Sequence, residues 1–328
     1  SFTMSKEIEI KIQKIPLLRN LLSLLKKVQL PGFEGLSVYD LIEMYMLGII
    51  KGALSTRASA ISFSLFTALF PLLIFILTLV PYIIPYIQIG DQAFEEQLFL
   101  FMESFLPTAT GDYFSEIFNQ IKQQKQSGLL SSSFVVSIFL MANGVNAIFG
   151  GFENSYHTKL NRNFFKQYLF ALAVGLLLSL LFILGAIGYV YFEFYILDYM
   201  IDFSKSNPYT SADQELQLVY WLKTAFFASV FYLITAVLYF FGTAETTKTN
   251  FFSIGAFMTT ALFLFTSYFF GIYIDNFATY NQLYGALGGL LILMFYIWIN
   301  SNILLLGFEL NMSLFSLKSG IIKNRKDS

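Results

Sequence analysis

Six stretches of this chain stay apolar long enough to cross a bilayer: residues 58–87, 129–150, 167–194, 219–242, 251–275 and 284–310. A span needs about 20 mostly apolar residues to traverse roughly 30 Å of hydrocarbon, and each stretch meets that length. Ahead of the first, the pattern changes. Val38, Leu41, Ile42, Tyr45, Ile49 and Ala53 share one helical face, with Asp40, Glu43 and Lys51 elsewhere around it. That spacing predicts an amphipathic helix, which either lies along the membrane interface or packs against the end of the bundle. In the stretch 91–127, Phe94, Leu98, Phe101 and Phe105 recur at helical spacing and Pro107 to Gly111 break the run, so two helices outside the membrane are expected. Asn207 and Pro208 mark a turn in a second outside loop.

The fold class these patterns predict is all-α: a polytopic membrane protein with six transmembrane helices. Amphipathic N-terminal helices precede the first span, and a helical loop joins spans one and two. The chain divides into an N-terminal region (1–57), a six-helix membrane domain (58–312) and a basic tail (313–328). Ser1 to Thr3 read as a tag remnant ahead of Met4. The apolar part of the next stretch is broken by Arg19, Asn20 and Ser23, and no signal peptide is expected.

Composition agrees with a bilayer setting. The residues are 56% hydrophobic and 12% charged, whereas soluble domains carry about a quarter charged residues. The basic residues are unevenly placed: sixteen of the twenty Lys and Arg fall before span one, after spans two and four, and in the tail. The other side, counted with the span ends Glu193 and Asp275, holds twelve of the twenty-one acids, among them Asp91, Glu95, Asp198, Asp202 and Asp213. By the positive-inside rule both termini are expected in the cytoplasm. A net charge of −1 speaks against a nucleic-acid partner, and with no cysteine there is no disulfide or thiolate chemistry.

Polar residues inside the spans are the candidate chemistry. Taking the last helix as centred near Tyr296, Asn300 and Asn302 lie roughly 6–9 Å from the midplane. Glu309 lies roughly 20 Å out and is expected at the interface. At about 100° per residue, Asn300, Gly307 and Asn311 share one face, and Trp298, Asn302 and Glu309 the opposite one. Polar groups on opposed faces cannot both meet lipid, so this helix is expected at the centre of the bundle. Span two carries Asn143 and Asn146, and the octet beginning at Asn146 has the same N-x-x-x-x-G-F-E pattern as the one beginning at Asn302. Span one adds Ser59, Ser62 and Ser64, with Arg57 at its entry and Pro71 near its middle, where a kink is possible.

Two stretches resemble a known family. "RASAISFSLFTALFPLL" (57–73) is similar to the R-x-x-A…FPLL entry of the YihY/BrkB family of bacterial inner-membrane proteins. "FATYNQLYGALGGLLILMFYIWINSNILLLGFELN" (277–311) is similar to its F-x-x-Y-x-x-x-Y-G-x-x-G segment and the G-x-E-L-N that ends the following helix. Phe308 departs from the family, where Ala is usual. The resemblance implies six spans with cytoplasmic ends and a location in the inner membrane. Members were once labelled ribonuclease BN-like, and suggested roles touch envelope lipid or solute transport.

A nuclease would need converging carboxylates or histidines beside a basic groove. The sole histidine, His157, stands in a short loop near Glu153, Lys159 and Arg162 without ligand spacing. No nucleotide-binding loop occurs, and no cofactor or metal is expected. The intramembrane residues support two readings. In one, Arg57, Ser62, Asn143, Asn146, Asn300 and Asn302 line a polar cavity open to the cytoplasm and bind a headgroup or small solute, with Arg57 attracting an anion. In the other they hydrogen-bond between helices, and Arg57 pairs with Glu153 or Glu309 at the interface. The function expected is transport or flipping of a lipid or small amphipathic solute, in contact with membrane lipids and with room for a homodimer. The alternatives are a non-transporting envelope scaffold and, remotely, a ribonuclease.

Overall fold

The structure, a computed structural model, describes residues 37–51, 53–83, 99–100, 115–116, 119, 129–153, 163–197, 199, 212–243, 250–276 and 286–326. Within the first long helix the side chains past Leu69 lie outside the described residues, as do those past Phe315 in the last helix. So do most of the 91–127 segment, the Asn207–Pro208 turn and His157.

Seven α-helices occur among the described residues: α1 (Val38–Lys51), α2 (Leu54–Ile83), α3 (Leu129–Glu153), α4 (Phe164–Tyr191), α5 (Ala212–Thr243), α6 (Ile254–Asn276) and α7 (Ala286–Lys326). Helix α4 continues into a π-helical turn, Phe192–Leu197, where Glu193 accepts from Lys223 of α5 at 2.8 Å. Five stretches are long and apolar enough to cross a membrane: Val135–Glu153, Phe165–Tyr191, Gln217–Gly242, Ile254–Ile272 and Gly289–Phe315. They coincide with spans two to six of the hydropathy pattern. The first apolar stretch falls on α2, a helix of 30 residues that runs through Pro71.

Large apolar side chains are turned outward on these helices, as an oily solvent requires. Phe165, Leu169 and Leu184 of α4 and Phe257, Phe265 and Phe269 of α6 are all more than half exposed. In water such a surface would be an aggregation site; in lipid it is the ordinary exterior.

Helix α7 is the hub. It packs against α2 on one side and α6 on the other, and also touches α1 and α3. The two polar faces expected of it are found. Trp298 donates its indole N–H to Ser59 of α2 at 3.1 Å, and Glu309 bonds Arg57 of α2. On the other face Asn311 accepts from the backbone N–H of Gly255 in α6 at 2.8 Å and donates to Ser253 at 2.9 Å.

Aromatic rings fill the end of the bundle where α2 begins and α3 ends. Phe152 of α3 and Phe308 of α7 stack with centroids 4.0 Å apart, and Tyr239 of α5 meets both edge-on. All three are buried. The two phenylalanines are the central letters of the repeated G-F-E, so the short internal match has a spatial counterpart. A second cluster, Phe231, Phe263, Phe270 and Tyr296, joins α5, α6 and α7.

Helix α1 settles the choice left by its amphipathic pattern, since it packs against α7 and α2. Ile49 reaches the core while Ile42 and Met46 stay exposed. The link to α2 passes through Ala53 at φ 45°, a left-handed conformation that costs a non-glycine residue about 1–2 kcal/mol. Its carbonyl then accepts from the N–H groups of Thr56 and Arg57. This sharp entry places Arg57 in the first turn of α2, facing inward.

Candidate functional site

Arg57 is the focus of the polar chemistry. One guanidinium nitrogen donates to Glu309 Oε1 at 2.6 Å and another to the carbonyl of Gly151 at 2.7 Å. The ion pair is nearly dry: the side chains keep 7% and 0% of their exposure. Three helices, α2, α3 and α7, are thereby tied through a single side chain. Both G-F-E motifs converge on it, one through the carbonyl of Gly151 and the other through Glu309. A buried carboxylate and guanidinium compensate one another's loss of water only because they meet at hydrogen-bond distance.

The expected interfacial depth of Glu309 did not anticipate that the side chain is enclosed by protein. Depth along a helix measures distance from the bilayer centre and says nothing about lateral cover. Here α2 and α1 cover Glu309 from the side, and it is fully buried. Of the two carboxylates considered for Arg57, Glu309 is the one that receives it at hydrogen-bond distance; Glu153 is half-buried at the end of α3, two residues after Gly151.

The remaining candidates are dispersed. Ser62 is buried and donates to the carbonyl of Ser59 in its own helix. Asn300 and Asn302 donate to the carbonyls of Tyr296 and Trp298, one turn back in α7. Asn143 is exposed on α3 and Asn146 half-buried beside it. No hydrogen bond joins any two of Arg57, Ser62, Asn143, Asn146, Asn300 and Asn302 among the described residues. A cleft of about 280 Å³ does occur between α6 and α7, lined by Phe265, Thr266, Phe269, Phe270 and Ile299. None of the six residues lines it, and apart from Thr266 its walls are apolar.

Sequence reasoning missed the layer behind the ion pair. The hydroxyl of Tyr239 donates to the carbonyl of Leu304 at 2.5 Å and shares a hydrogen bond of 2.6 Å with Thr259. Tyr239 and Thr259 are buried against Gly307. A Cβ on Gly307 would collide with Thr259 Oγ1 and lie 2.5 Å from the Tyr239 hydroxyl and 2.6 Å from the carbonyl of Gly255. Gly255 and Gly307 therefore allow α6 and α7 to meet backbone to backbone, and the G-x-E-L-N motif combines a contact glycine, an ion-pairing Glu and a capping Asn. The signal available in sequence was a tyrosine inside an apolar span, which usually keeps its hydroxyl bonded.

Tyr45 of α1 completes the cluster from outside the spans. Burial, and secondarily the negative charge of Glu309, push its phenol up to about 12. In the unfolded chain the phenol ionises near 10. The raised value means that the folded state holds its proton longer, so this contribution to stability is fully present below pH 10. It is lost as pH rises from about 10 to about 12. The difference in stability between the wild type and Tyr45→Phe, followed by chemical unfolding across that window, should therefore fall with pH. A difference that stays flat would contradict the burial of Tyr45 in this cluster.

Among the described residues no three His, Cys, Asp or Glu side chains converge into a group that could hold a metal ion. Comparison with known proteins adds a family. The family described as Virulence factor BrkB matches residues 48–325. A Bacillus subtilis (strain 168) protein, YfkH, described as ribonuclease-like, is 26% identical over 220 residues, covering 66% of this chain and 77% of its own length. No solved structure matches.

Proposed function

This chain belongs to the BrkB family of membrane proteins, and on that premise we propose that it moves a lipid or small amphipathic solute across the bacterial inner membrane, with the Arg57–Glu309 pair closing the route at its cytoplasmic end. The reading takes α2 as a sixth span, places both termini in the cytoplasm, and keeps 1–57 and 313–328 as flanking cytoplasmic regions. The single observation that carries it is a dry ion pair inside a membrane bundle.

Such pairs add little stability by themselves, because desolvation offsets most of the Coulomb attraction. Ionisable residues at membrane depth instead tend to mark paths for substrates and ions. Arg57 retains capacity for a ligand: its Nε–H has no partner among the described residues. An anionic group, such as a phosphate or carboxylate, matches the guanidinium fork that Glu309 now occupies. Exchange of Glu309 for the substrate's anion would release α7 from α2 and open that end.

The test is reconstitution of the full chain in liposomes, with assays of phospholipid scrambling and of a panel of anionic amphipathic solutes. The double variant Arg57→Met, Glu309→Leu keeps the volume and removes both charges. It should fold and lose transport at least tenfold. Wild-type rates in the folded double variant would exclude the pair from the route. A wild-type protein that is folded and moves nothing would favour the second reading, an envelope scaffold, which the packed aromatic layer of Phe149, Phe152, Phe308 and Tyr239 supports. A ribonuclease is the third reading, and no contact among the described residues favours it.

A further inference from the structure

We propose that Lys223 and Glu193 form a binding site for the headgroup of a zwitterionic phospholipid with a primary amine, the phosphate on Lys223 and the ammonium on Glu193. The site does not depend on what the protein moves. It lies at the membrane face opposite Arg57. Phe170, near the start of α4, packs against Phe149 just before Gly151, so that end of α4 is beside Arg57. Glu193 follows 23 residues later in sequence, roughly 35 Å farther along.

Depth matches a headgroup. Glu193 stands two residues past the apolar stretch Phe165–Tyr191, and Lys223 six residues inside Gln217–Gly242. The four-carbon stem of a lysine lets its ammonium reach outward to the polar layer. At this level the exposed side chains are no longer Phe and Leu alone. Tyr191, Tyr195, Tyr199, Tyr220 and Trp221 are all exposed, and amphipathic rings of this kind settle among headgroups.

The pair is held open to its surroundings. Lys223 Nζ donates to Glu193 Oε1 at 2.8 Å and makes no other hydrogen bond among the described residues, which leaves two of its three N–H groups for a ligand. The two side chains keep 33% and 25% of their exposure, unlike the dry Arg57–Glu309 pair. Glu193 Oε2 is turned inward beside the Tyr189 hydroxyl, leaving Oε1 as the oxygen that a ligand can reach. Beneath the pair the rings of Tyr189 and Phe227, and of Phe192 and Phe226, pack with centroids 5.1 Å apart and form a rigid floor. The π-helical turn Phe192–Leu197 carries Glu193, and such turns are rare except at functional sites.

The charges select the ligand. A half-exposed ion pair adds little stability of its own. One cation beside one anion has no net charge and complements a ligand carrying the same two charges. Phosphatidylethanolamine brings a phosphate for Lys223 and N–H donors for Glu193. Phosphatidylglycerol has no cation to meet the carboxylate, and the quaternary ammonium of phosphatidylcholine has no N–H to donate.

A single tryptophan can report on the site. Trp221 falls on the far side of α5 from Lys223, so the probe is Tyr220→Trp in a full chain that also carries Trp221→Phe and Trp298→Phe. In phosphatidylcholine vesicles, brominated phosphatidylethanolamine should quench its fluorescence at roughly threefold to tenfold lower mole fraction than brominated phosphatidylcholine or phosphatidylglycerol. Adding Glu193→Gln should abolish that preference and make phosphatidylglycerol the strongest quencher, because Lys223 then stands without its counter-charge. Adding Lys223→Gln instead should also abolish it, with phosphatidylglycerol the weakest. Equal quenching by the three lipids would overturn the proposal, as would a ranking that either folded variant leaves unchanged, the mark of a purely structural ion pair. Displacement of the brominated lipid by soluble phosphoethanolamine would overturn the assignment to a lipid.

Discussion

Glu309→Leu, with Arg57 left in place, should destabilise the folded protein by about 3–5 kcal/mol, the usual result of stranding one member of a buried ion pair. The guanidinium would stay enclosed with one of its two described partners, the carbonyl of Gly151, and no compensating charge. Arg57→Met alone should cost a similar amount by stranding Glu309. Combining Arg57→Met with Glu309→Leu should restore most of the loss, because two apolar side chains need no desolvation. Unfolding midpoints of the four proteins in one detergent form a double-mutant cycle, and the coupling should be large and favourable. Near-additive losses would mean that the two side chains are independently solvated. That result would remove the ion pair and with it the proposed closure of the transport route.

The second large effect concerns Gly307. Gly307→Ala should cost about 3 kcal/mol, at the upper end for overpacking. The added methyl would strike the Thr259 hydroxyl and press on the Gly255 carbonyl, which is backbone and cannot rotate away. Separating α6 from α7 would also lengthen the Tyr239–Leu304 bond and the Asn311 contact to Gly255. Gly307→Leu should prevent folding. Gly150→Ala is the matched control. A Cβ there meets no atom of the described residues within 4 Å, so the change should be neutral or stabilise by up to about 1 kcal/mol through helix propensity. Equal effects of alanine at the two positions, measured by thermal unfolding, would show that α6 and α7 do not meet at their backbones.

The repeated G-F-E illustrates how much of the site could be read in advance. A shared octet pattern drew attention to Gly151, Phe152 and Glu153 beside Gly307, Phe308 and Glu309, but a match that short could have been accidental. The structure gives the two copies different tasks. The phenylalanines stack on each other, Gly151 lends a carbonyl to Arg57, and Glu309 supplies its counter-charge. Phe308, where the resemblance leads one to expect Ala, is thereby a packing partner of Phe152. The polar cavity was the less legible part, because whether Asn143 and Asn302 face one space depends on how α3 and α7 are rotated against their neighbours.

What the sequence determined by itself is local and one-dimensional. Lengths of apolar runs located the membrane helices to within a few residues at most ends, and the 100° step between residues located the two polar faces of α7. Those properties follow from backbone geometry and from the absence of water in hydrocarbon, and they need no knowledge of neighbours. Only the tertiary structure decided that Glu309 is enclosed and paired with a residue 252 positions away. It alone set Tyr239 behind Gly307, and left the amides of α3 without partners among the described residues. Those outcomes depend on which faces meet and how closely, and many packings of the same helices would satisfy the same hydrophobic pattern.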